Sequence, residues 1–207
     1  MTMYSHPPEE GYEGVYLRTH LDDVARRANE IVPAEATTPD DESLQRVVET
    51  LAYVHDFGKA TTFFQEYLRH NTEPEYKPCR YHAPIGSFAA YYALDAQGFE
   101  SETCLAGFVA VAKHHGRLPN VAEYVFDRAH GQDGSADEYH AVLARQINDI
   151  DGEASELAHE VFETATNGVG SWDEFRDGFI DLLEEIEDTV AMDGIVPEPR
   201  EDAVSDA

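Results

Sequence analysis

Seven side chains in the first 115 positions have the types and order needed to assemble a hydrolytic metal site. They are His20, His55, Asp56, Lys59, His82, His114 and His115. Histidine and aspartate can bind a divalent metal while leaving a coordination position open for water. Their order indicates metal-dependent hydrolysis of a phosphodiester or phosphomonoester.

Two pairs of these residues are adjacent in apolar surroundings. His55 and Asp56 lie in YVHDFGK, and His114 and His115 lie in AKHHG. An aspartate on an otherwise apolar face carries a large burial cost unless metal or hydrogen bonds compensate it. A salt bridge from Asp56 to Lys59 is the competing explanation. The apolar surroundings of the His55–Asp56 pair and of the His114–His115 pair are both costly for polar side chains. Together, these two placements favour a shared metal site.

The other five histidines lie in polar segments without a partner motif, so we interpret them as ordinary surface or core residues. They are His6, His70, His130, His140 and His159.

The elements that must position the site are helices, since apolar residues repeat at helical spacing along most of the chain. We expect an all-α fold, with the metal site in the core of a helical bundle. The predicted helices cover residues 17–31, 44–55, 61–69, 83–96, 105–115, 121–128, 139–150, 153–166 and 172–190.

The predicted helices bring the histidines toward one region. His20 lies on or beside the apolar face of the first helix, and His55 continues the apolar stripe of the second. His82 lies at the entrance of a helix, and His114 and His115 end the most apolar one.

The segment around the second helix contains further local signals. Asp41 or Ser43 can cap the helix start. Gly58 loosens the backbone immediately after Asp56, so Lys59 can return to the same side as the carboxylate.

The composition indicates a folded, strongly acidic domain. Forty-two acidic and fourteen basic residues give a net charge of -28, yet 42% of residues are hydrophobic, too many for a disordered acidic chain. The length of 207 residues suits one domain. We expect an irregular arm over residues 1–16, the domain over 17–195, and an acidic disordered tail over 196–207.

Two further composition signals concern cysteine and the membrane. Cys79 and Cys104 are too few for a disulfide framework or a cysteine-rich zinc site, so we expect buried or neutral thiols. No apolar run reaches the roughly 18 residues of a membrane span. We therefore expect a cytoplasmic protein with no membrane partner.

Four segments in order carry a family resemblance: THLDDVA, LAYVHDFGKATTFFQEYL, YHAPIGSFAA and AVAKHHGRLP. They resemble the HD-superfamily nuclease domain of CRISPR-associated type I interference systems. The resemblance covers about residues 4–130, and more diffusely extends to about residue 190.

The resemblance implies an HD-domain helical bundle that cleaves single-stranded DNA in antiviral interference, together with a separate helicase and a CRISPR surveillance complex. It implies one or two divalent ions: manganese, nickel, magnesium, cobalt or iron. The first implied ligand set is His20, His55 and Asp56; the second is Asp56, His82, His114 and His115. Asp56 would bridge the ions and be essential for catalysis, and Lys59 would contact the scissile phosphate or the attacking water.

The chain departs from the family pattern at one point. The pattern includes a later aspartate on an apolar C-terminal helix, and no segment here matches it. Asp177, Asp181 and Asp188 each lie among acidic residues that we expect on a solvated face. Either the chain stops short of the helix that supplies this aspartate, or the site works with fewer ligands and one metal position is weakly occupied.

Two other functions fit the same residues. One is an HD-type phosphohydrolase that acts on nucleotides, and the other is a catalytically weak HD interaction module that binds a helicase. The chain contains no phosphate-binding loop GxxxxGK[ST], so ATP-driven unwinding would come from another chain.

Several basic residues flank the motif segments and are candidates for a path that guides a DNA strand, although such residues are commonly surface partners of acids. They are Arg18, Arg69, Arg80, Lys113 and Arg117.

The acidic surface predicts salt-dependent folding. Eleven of the fourteen basic residues are arginine, a composition that resembles proteins of salt-loving archaea. Because the Debye length falls from about 10 Å at 0.1 M salt to about 3 Å at 1 M, self-repulsion is screened in the concentrated solution. We expect the Tm, followed by circular dichroism, to rise by roughly 10 °C between these KCl concentrations. An unchanged Tm would contradict this prediction.

Overall fold

The computed structural model describes residues 2–116 and 136–192, and over these ranges the chain is mostly helical. Within the described ranges there are nine α-helices: α1 (Leu17–Ile31), α2 (Leu44–Val54), α3 (Thr62–His70), α4 (Ala83–Asp95), α5 (Ser101–Ala112), α6 (Ala136–Glu153), α7 (Ser155–Ala165), α8 (Trp172–Asp177) and α9 (Phe179–Met192). Two 3-10 helices cover Phe57–Ala60 and Lys77–Arg80. The prediction of an all-α fold is confirmed.

Side-chain caps account for the starts of several helices. The Ser43 hydroxyl accepts the Arg46 amide at 3.4 Å and so caps α2, one of the two predicted alternatives. The Thr61 hydroxyl accepts the Phe64 amide at 3.2 Å at the start of α3. Each hydroxyl satisfies one amide that has no partner inside its helix.

Several predicted helices have different bounds in the structure, and two of them differ in a way that matters for the site or the core. The segment predicted over residues 105–115 forms α5 over Ser101–Ala112, so the paired histidines follow the helix instead of ending it. The segment predicted over 172–190 divides into α8 and α9 at Gly178. The helix predicted over 121–128 and the acidic tail lie outside the described residues.

The N-terminal arm contains a short antiparallel strand pair that its sequence does not reveal. Strands β1 (Tyr4–His6) and β2 (Val15–Tyr16) pair with Tyr4 opposite Tyr16. Their rings stack with centroids 5.2 Å apart. Three residues are too few to show the alternation that identifies a strand. The domain boundary proposed near residue 17 stays a prediction.

A buried glutamine joins this hairpin to the segment that follows Asp56. The Gln65 side-chain amide donates to the carbonyls of Tyr4 and Lys59, both at 2.8 Å. The Tyr4 amide donates to the Gln65 side-chain carbonyl at 3.0 Å. Both polar ends of Gln65 are therefore paired, which offsets the cost of its complete burial.

The α4 and α5 helices form the most apolar layer of the core. Both are buried on most sides, as their nearly continuous apolar sequences predict. At Gly107 of α5, a Cβ atom would lie 2.5 Å from Leu94 Cδ1 of α4. The absence of a side chain therefore allows the two helices to approach closely.

An aromatic cluster packs α7 and α8 behind the segment that carries Asp56. The Phe162 ring centroid lies 5.2 Å from that of Phe57, 5.5 Å from Trp172 and 4.9 Å from Phe175. Phe162 and Trp172 are completely buried. This cluster packs against Phe57, the neighbour of Asp56.

Both cysteines are buried free thiols, as predicted. Burial raises the pKa of Cys104 to about 12, so the thiol is neutral at physiological pH. No helix within the described ranges is long and apolar enough to cross a membrane.

Because Phe162 occupies the centre of the aromatic cluster, we expect Phe162→Ala to lower the free energy of unfolding by about 3–5 kcal/mol. The measurement is urea denaturation in concentrated KCl, followed by circular dichroism. Ile180→Ala, at a residue that is 47% exposed, is the matched control and should change stability far less. Equal losses in the two variants would contradict the packing role.

Candidate metal centre

Asp56 lies at the centre of the candidate site. It follows the end of α2, where His55 is the C-cap residue, and precedes the 3-10 helix Phe57–Ala60. Only 3% of Asp56 is exposed, and no other aspartate or glutamate among the residues with described side chains is buried. A carboxylate taken out of water in this way requires compensating charge or hydrogen bonds.

Lys59 supplies one compensating charge. A 3-10 helix has three residues per turn, so residues three apart lie on the same side. The Lys59 ammonium nitrogen lies 2.8 Å from Asp56 Oδ2 and donates to the Ser5 hydroxyl at 3.5 Å. The predicted competing explanation, an Asp56 to Lys59 salt bridge, is thus present, but it covers only one carboxylate oxygen.

Four imidazoles surround the two oxygens. His20 Nε2 and His55 Nε2 lie 3.0 and 3.3 Å from Asp56 Oδ2. His82 Nε2 and His114 Nε2 lie 3.2 and 3.5 Å from Oδ1. These rings come from α1, the end of α2, the start of α4 and the turn after α5, so four separate elements converge on one carboxylate.

Two of the rings are held in a fixed orientation by helix C-termini. His55 Nδ1 lies 2.8 Å from the Ala52 carbonyl oxygen, and His114 Nδ1 lies 2.7 Å from that of Val111. Each carbonyl belongs to the last turn of a helix, where carbonyls lack intrahelical partners. A neutral ring that donates from Nδ1 presents a lone pair at Nε2, the arrangement of a metal-binding histidine.

Several polar atoms at the centre are buried without a hydrogen-bond partner. They are Asp56 Oδ1 and the Nε2 atoms of His20, His82 and His114. Where Nε2 carries a lone pair, it faces a carboxylate oxygen that also carries lone pairs, so a cation or a proton is needed between them. The donor set of imidazole nitrogens and one carboxylate therefore fits a divalent metal.

The electrostatics differ from ring to ring. Burial alone would raise the pKa of Asp56, but contacts with His114, His20, His55 and His82 hold it far below its usual range. Burial opposes protonation of His114, yet the Asp56 carboxylate and a backbone carbonyl raise its pKa above the ordinary value.

The pKa values of His82 and His115 are lowered, chiefly by burial. Both rings therefore favour the neutral form that binds metal.

Candidate ligand atoms fall into two groups that share Asp56. One group is His20, His55 and Asp56, and the other is Asp56, His82, His114 and His115. Within each group the atoms lie within 4.8 Å of one another. Two ligands of one ion, each about 2.1 Å away from it, lie at most about 4.2 Å apart. Inward side-chain movements would therefore bring each group onto one ion.

The structure brings all seven predicted site residues together. The two groups coincide with the two predicted ligand sets, although their assignment as ligands stays a prediction. Asp177, Asp181 and Asp188 are exposed and belong to neither group, in agreement with their acidic sequence surroundings.

The sequence interpretation missed three residues beside the centre. His6, predicted to be ordinary, lies on β1 with its ring centroid 5.6 Å from that of His20. The Phe64 ring lies edge-on to His82 at 5.2 Å and beneath the Lys59 ammonium at 5.7 Å. Ser5 accepts from Lys59. His6 and Ser5 reach the site through the hairpin, which has no clear signal in the sequence.

The predicted DNA-path residues have varied partners. Arg18 pairs with Asp22 at 3.2 Å, and Arg80 pairs with Glu73. Arg69 donates to the carbonyl of Thr2. Lys113 is partly buried and Arg117 lies outside the described residues. A DNA path through these residues stays a prediction.

Two glycines allow the elements that carry the ligands to meet. A Cβ atom at Gly58 would lie 2.4 Å from the His82 carbonyl oxygen. A Cβ atom at Gly86 of α4 would lie 2.9 Å from the Val54 carbonyl oxygen and 3.0 Å from that of His55. The segment containing Asp56 and the start of α4 are thus in direct backbone contact.

A helical domain in which histidines from several elements surround a buried His-Asp pair defines the HD class of metal-binding domains. A sequence model of the family described as "Cas3, HD domain" matches residues 6–192, so the chain belongs to the Cas3 HD-domain family. The resemblance found in the sequence is confirmed.

One curated relative from Haloferax volcanii is described as "CRISPR-associated nuclease/helicase Cas3". The two sequences are 32% identical over 180 residues, which is 84% of this chain and 19% of the relative. The chain therefore spans about a fifth of the relative's length. No solved structure matches the chain.

Gly58 provides a test of the backbone contact. Because an added methyl group would collide with the His82 backbone, we expect Gly58→Ala to displace His82 and to weaken Mn²⁺ binding about tenfold or more, measured by isothermal titration calorimetry. Gly152→Ala, where a Cβ atom meets nothing within 4 Å, is the control. Circular dichroism should show that both variants are folded. Unchanged affinity in a folded Gly58→Ala protein would refute the contact's importance.

Proposed function

We propose that this domain is a metal-dependent nuclease that cleaves single-stranded DNA during CRISPR interference. The observation that carries the proposal is the set of unpaired imidazole nitrogens around the buried Asp56 carboxylate. Membership of the Cas3 HD-domain family supports a nuclease over other hydrolases that use the same donor types.

The ligands that we propose form the two groups described above. His20, His55 and Asp56 would hold one divalent ion, and Asp56, His82, His114 and His115 would hold a second. Manganese, nickel, magnesium, cobalt and iron are the candidates. When bound, such ions lower the pKa of water and neutralise charge on the leaving oxygen of an in-line displacement.

The protein's own contribution is to keep the donors in place and in the right protonation state. The Ala52 and Val111 carbonyls hold the Nδ1 protons of His55 and His114, which leaves both Nε2 atoms available. Burial favours neutral His82. Asp56 is ionised and has two oxygens, so it can serve both groups at once.

Lys59 would act on the substrate side of the centre. Its ammonium lies between the Asp56 carboxylate and the Ser5 hydroxyl, and Lys59 is the one buried lysine within the described ranges. A charged donor in this position can hydrogen-bond a phosphate oxygen or orient the attacking water.

We also propose a separate helicase and a CRISPR surveillance complex as partners. The Haloferax volcanii relative is described as a nuclease/helicase. These 207 residues contain no phosphate-binding loop motif. Unwinding of a duplex would therefore come from outside these 207 residues.

The central test is Asp56→Asn, which keeps the shape of the side chain but removes its charge. Loss of a bridging ligand should exceed the 10–100-fold effects of outer-shell changes. We therefore expect nicking of circular single-stranded DNA to fall by at least about a hundredfold, assayed with manganese, nickel or magnesium in concentrated KCl. Asp177→Asn, at an exposed aspartate outside both groups, is the control and should cut normally.

Three other results would count against the nuclease. Persistent cutting by the Asp56→Asn protein would contradict the assignment of the Asp56 site as the nuclease centre. Phosphate release from nucleotides without nicking of single-stranded DNA would identify an HD-type phosphohydrolase instead. Absence of bound metal at saturating manganese, measured by elemental analysis, would favour a non-catalytic interaction module.

A further inference from the structure

Acidic residues are missing from the two sequence segments that lead to His82 and to His114. One residue in five is acidic over the whole chain, yet residues 76–94 and 103–122 contain neither aspartate nor glutamate. The first segment also contains Lys77 and Arg80, two of only fourteen basic residues. The sequence around the start of α4 is therefore much less repulsive to an anion than the rest of the chain.

Arg80 lies between two tyrosine rings next to this start. Its guanidinium carbon is 4.5 Å from the ring centroid of Tyr67 and 5.3 Å from that of Tyr81. One edge of the guanidinium donates to Glu73. Tyr81 remains 52% exposed, one of the most exposed large side chains among those described. Tyr67, Arg80 and Tyr81 form what we call the aromatic platform.

The backbone of the platform is fixed from inside the domain. The completely buried Gln146 of α6 donates from its side-chain amide to the carbonyls of Cys79 and Tyr81, at 2.8 and 2.9 Å. These two carbonyls flank Arg80. Arg145, the neighbour of Gln146, lies over the ring of Tyr76 at 5.2 Å. A cation and an exposed ring are thus held in place without the need for a ligand.

We propose that the aromatic platform binds the bases of a single nucleic-acid strand beside the metal centre, with Tyr81 as the exposed stacking surface. The inference rests on the proposed function, since Tyr81 directly precedes the candidate ligand His82. Consecutive Cα atoms are about 3.8 Å apart, so the backbone that carries the platform runs directly into the backbone of a candidate ligand.

Salt gives a physical reason for an aromatic surface here. Phosphate contacts by lysine and arginine weaken steeply as the salt concentration rises, and the acidic composition indicates a protein that works in concentrated salt. Stacking of a base on an aromatic ring is favourable for every base and does not depend on released counterions. Stacking on Tyr81 can therefore hold a strand where ionic contacts are weak.

The test compares a labelled oligothymidylate with an abasic strand of the same length, by fluorescence anisotropy in concentrated KCl. The proteins carry Asp56→Asn so that the strand is not cut. Tyr81→Ala should weaken binding of the oligothymidylate about tenfold and leave binding of the abasic strand unchanged. Tyr81→Phe should restore the affinity, because the ring itself stacks. Tyr12→Ala, at a tyrosine that is 49% exposed on the arm, is the matched control.

The outcomes separate this inference from the proposed function. Suppose that the wild-type protein nicks DNA, but that Tyr81→Ala leaves the binding of both strands unchanged or weakens the binding of both equally. The platform is then refuted and the nuclease assignment stands. Suppose instead that the wild-type protein does not nick DNA, but that Tyr81→Ala weakens binding of the oligothymidylate alone. The nuclease assignment is then refuted and the platform stands. Absence of strand binding also overturns the platform.

Discussion

The burial of one carboxylate governs the construction of this domain. Asp56 is 3% exposed in a protein whose other acids with described side chains remain at least partly in water. An ionised group in such a place is tolerated only with opposite charge and polar contacts around it. Lys59 and four imidazoles provide them. Since these groups come from several separate elements, the need to compensate one charge fixes how the first half of the chain must fold.

Backbone contact makes that convergence possible. Gly58 and Gly86 have no side chains, and each lies where a Cβ atom would collide with the segment opposite. The contact between the Asp56 segment and α4 is therefore set by main-chain atoms, which cannot rearrange as a flexible side chain can. Gln65 and the aromatic cluster around Phe162 hold the same segment from two other sides. A rigid centre of this kind keeps ligand atoms close before any ion is present.

The sequence predicted those features that depend on local pattern. Helical spacing located α1 to the residue and α2 to within one residue, and the costly placement of His55, Asp56, His114 and His115 identified the centre. The features that it did not predict depend on contacts between distant segments. His6 reaches the site only because Gln65 ties β1 to the segment after Asp56. Because α5 ends at Ala112, His114 lies in a turn, where the Val111 carbonyl can accept a hydrogen bond from its ring. The spacing of apolar residues does not indicate where this helix ends.

The distribution of charge bears on how so acidic a protein would admit the anionic strand that we propose as its substrate. A net charge of -28 repels phosphate at long range in dilute solution, but in concentrated salt that repulsion extends only about 3 Å. What matters there is the local surface, and the residues on either side of His82 and those leading to His114 contain no acid. The same screening removes most of the attraction that lysine and arginine would give. Binding of the proposed strand near the centre would then depend on short-range contacts, namely metal coordination, the Lys59 ammonium and stacking on exposed rings. Screening by salt thus allows a surface to be acidic enough to stay hydrated without repelling a phosphodiester at long range.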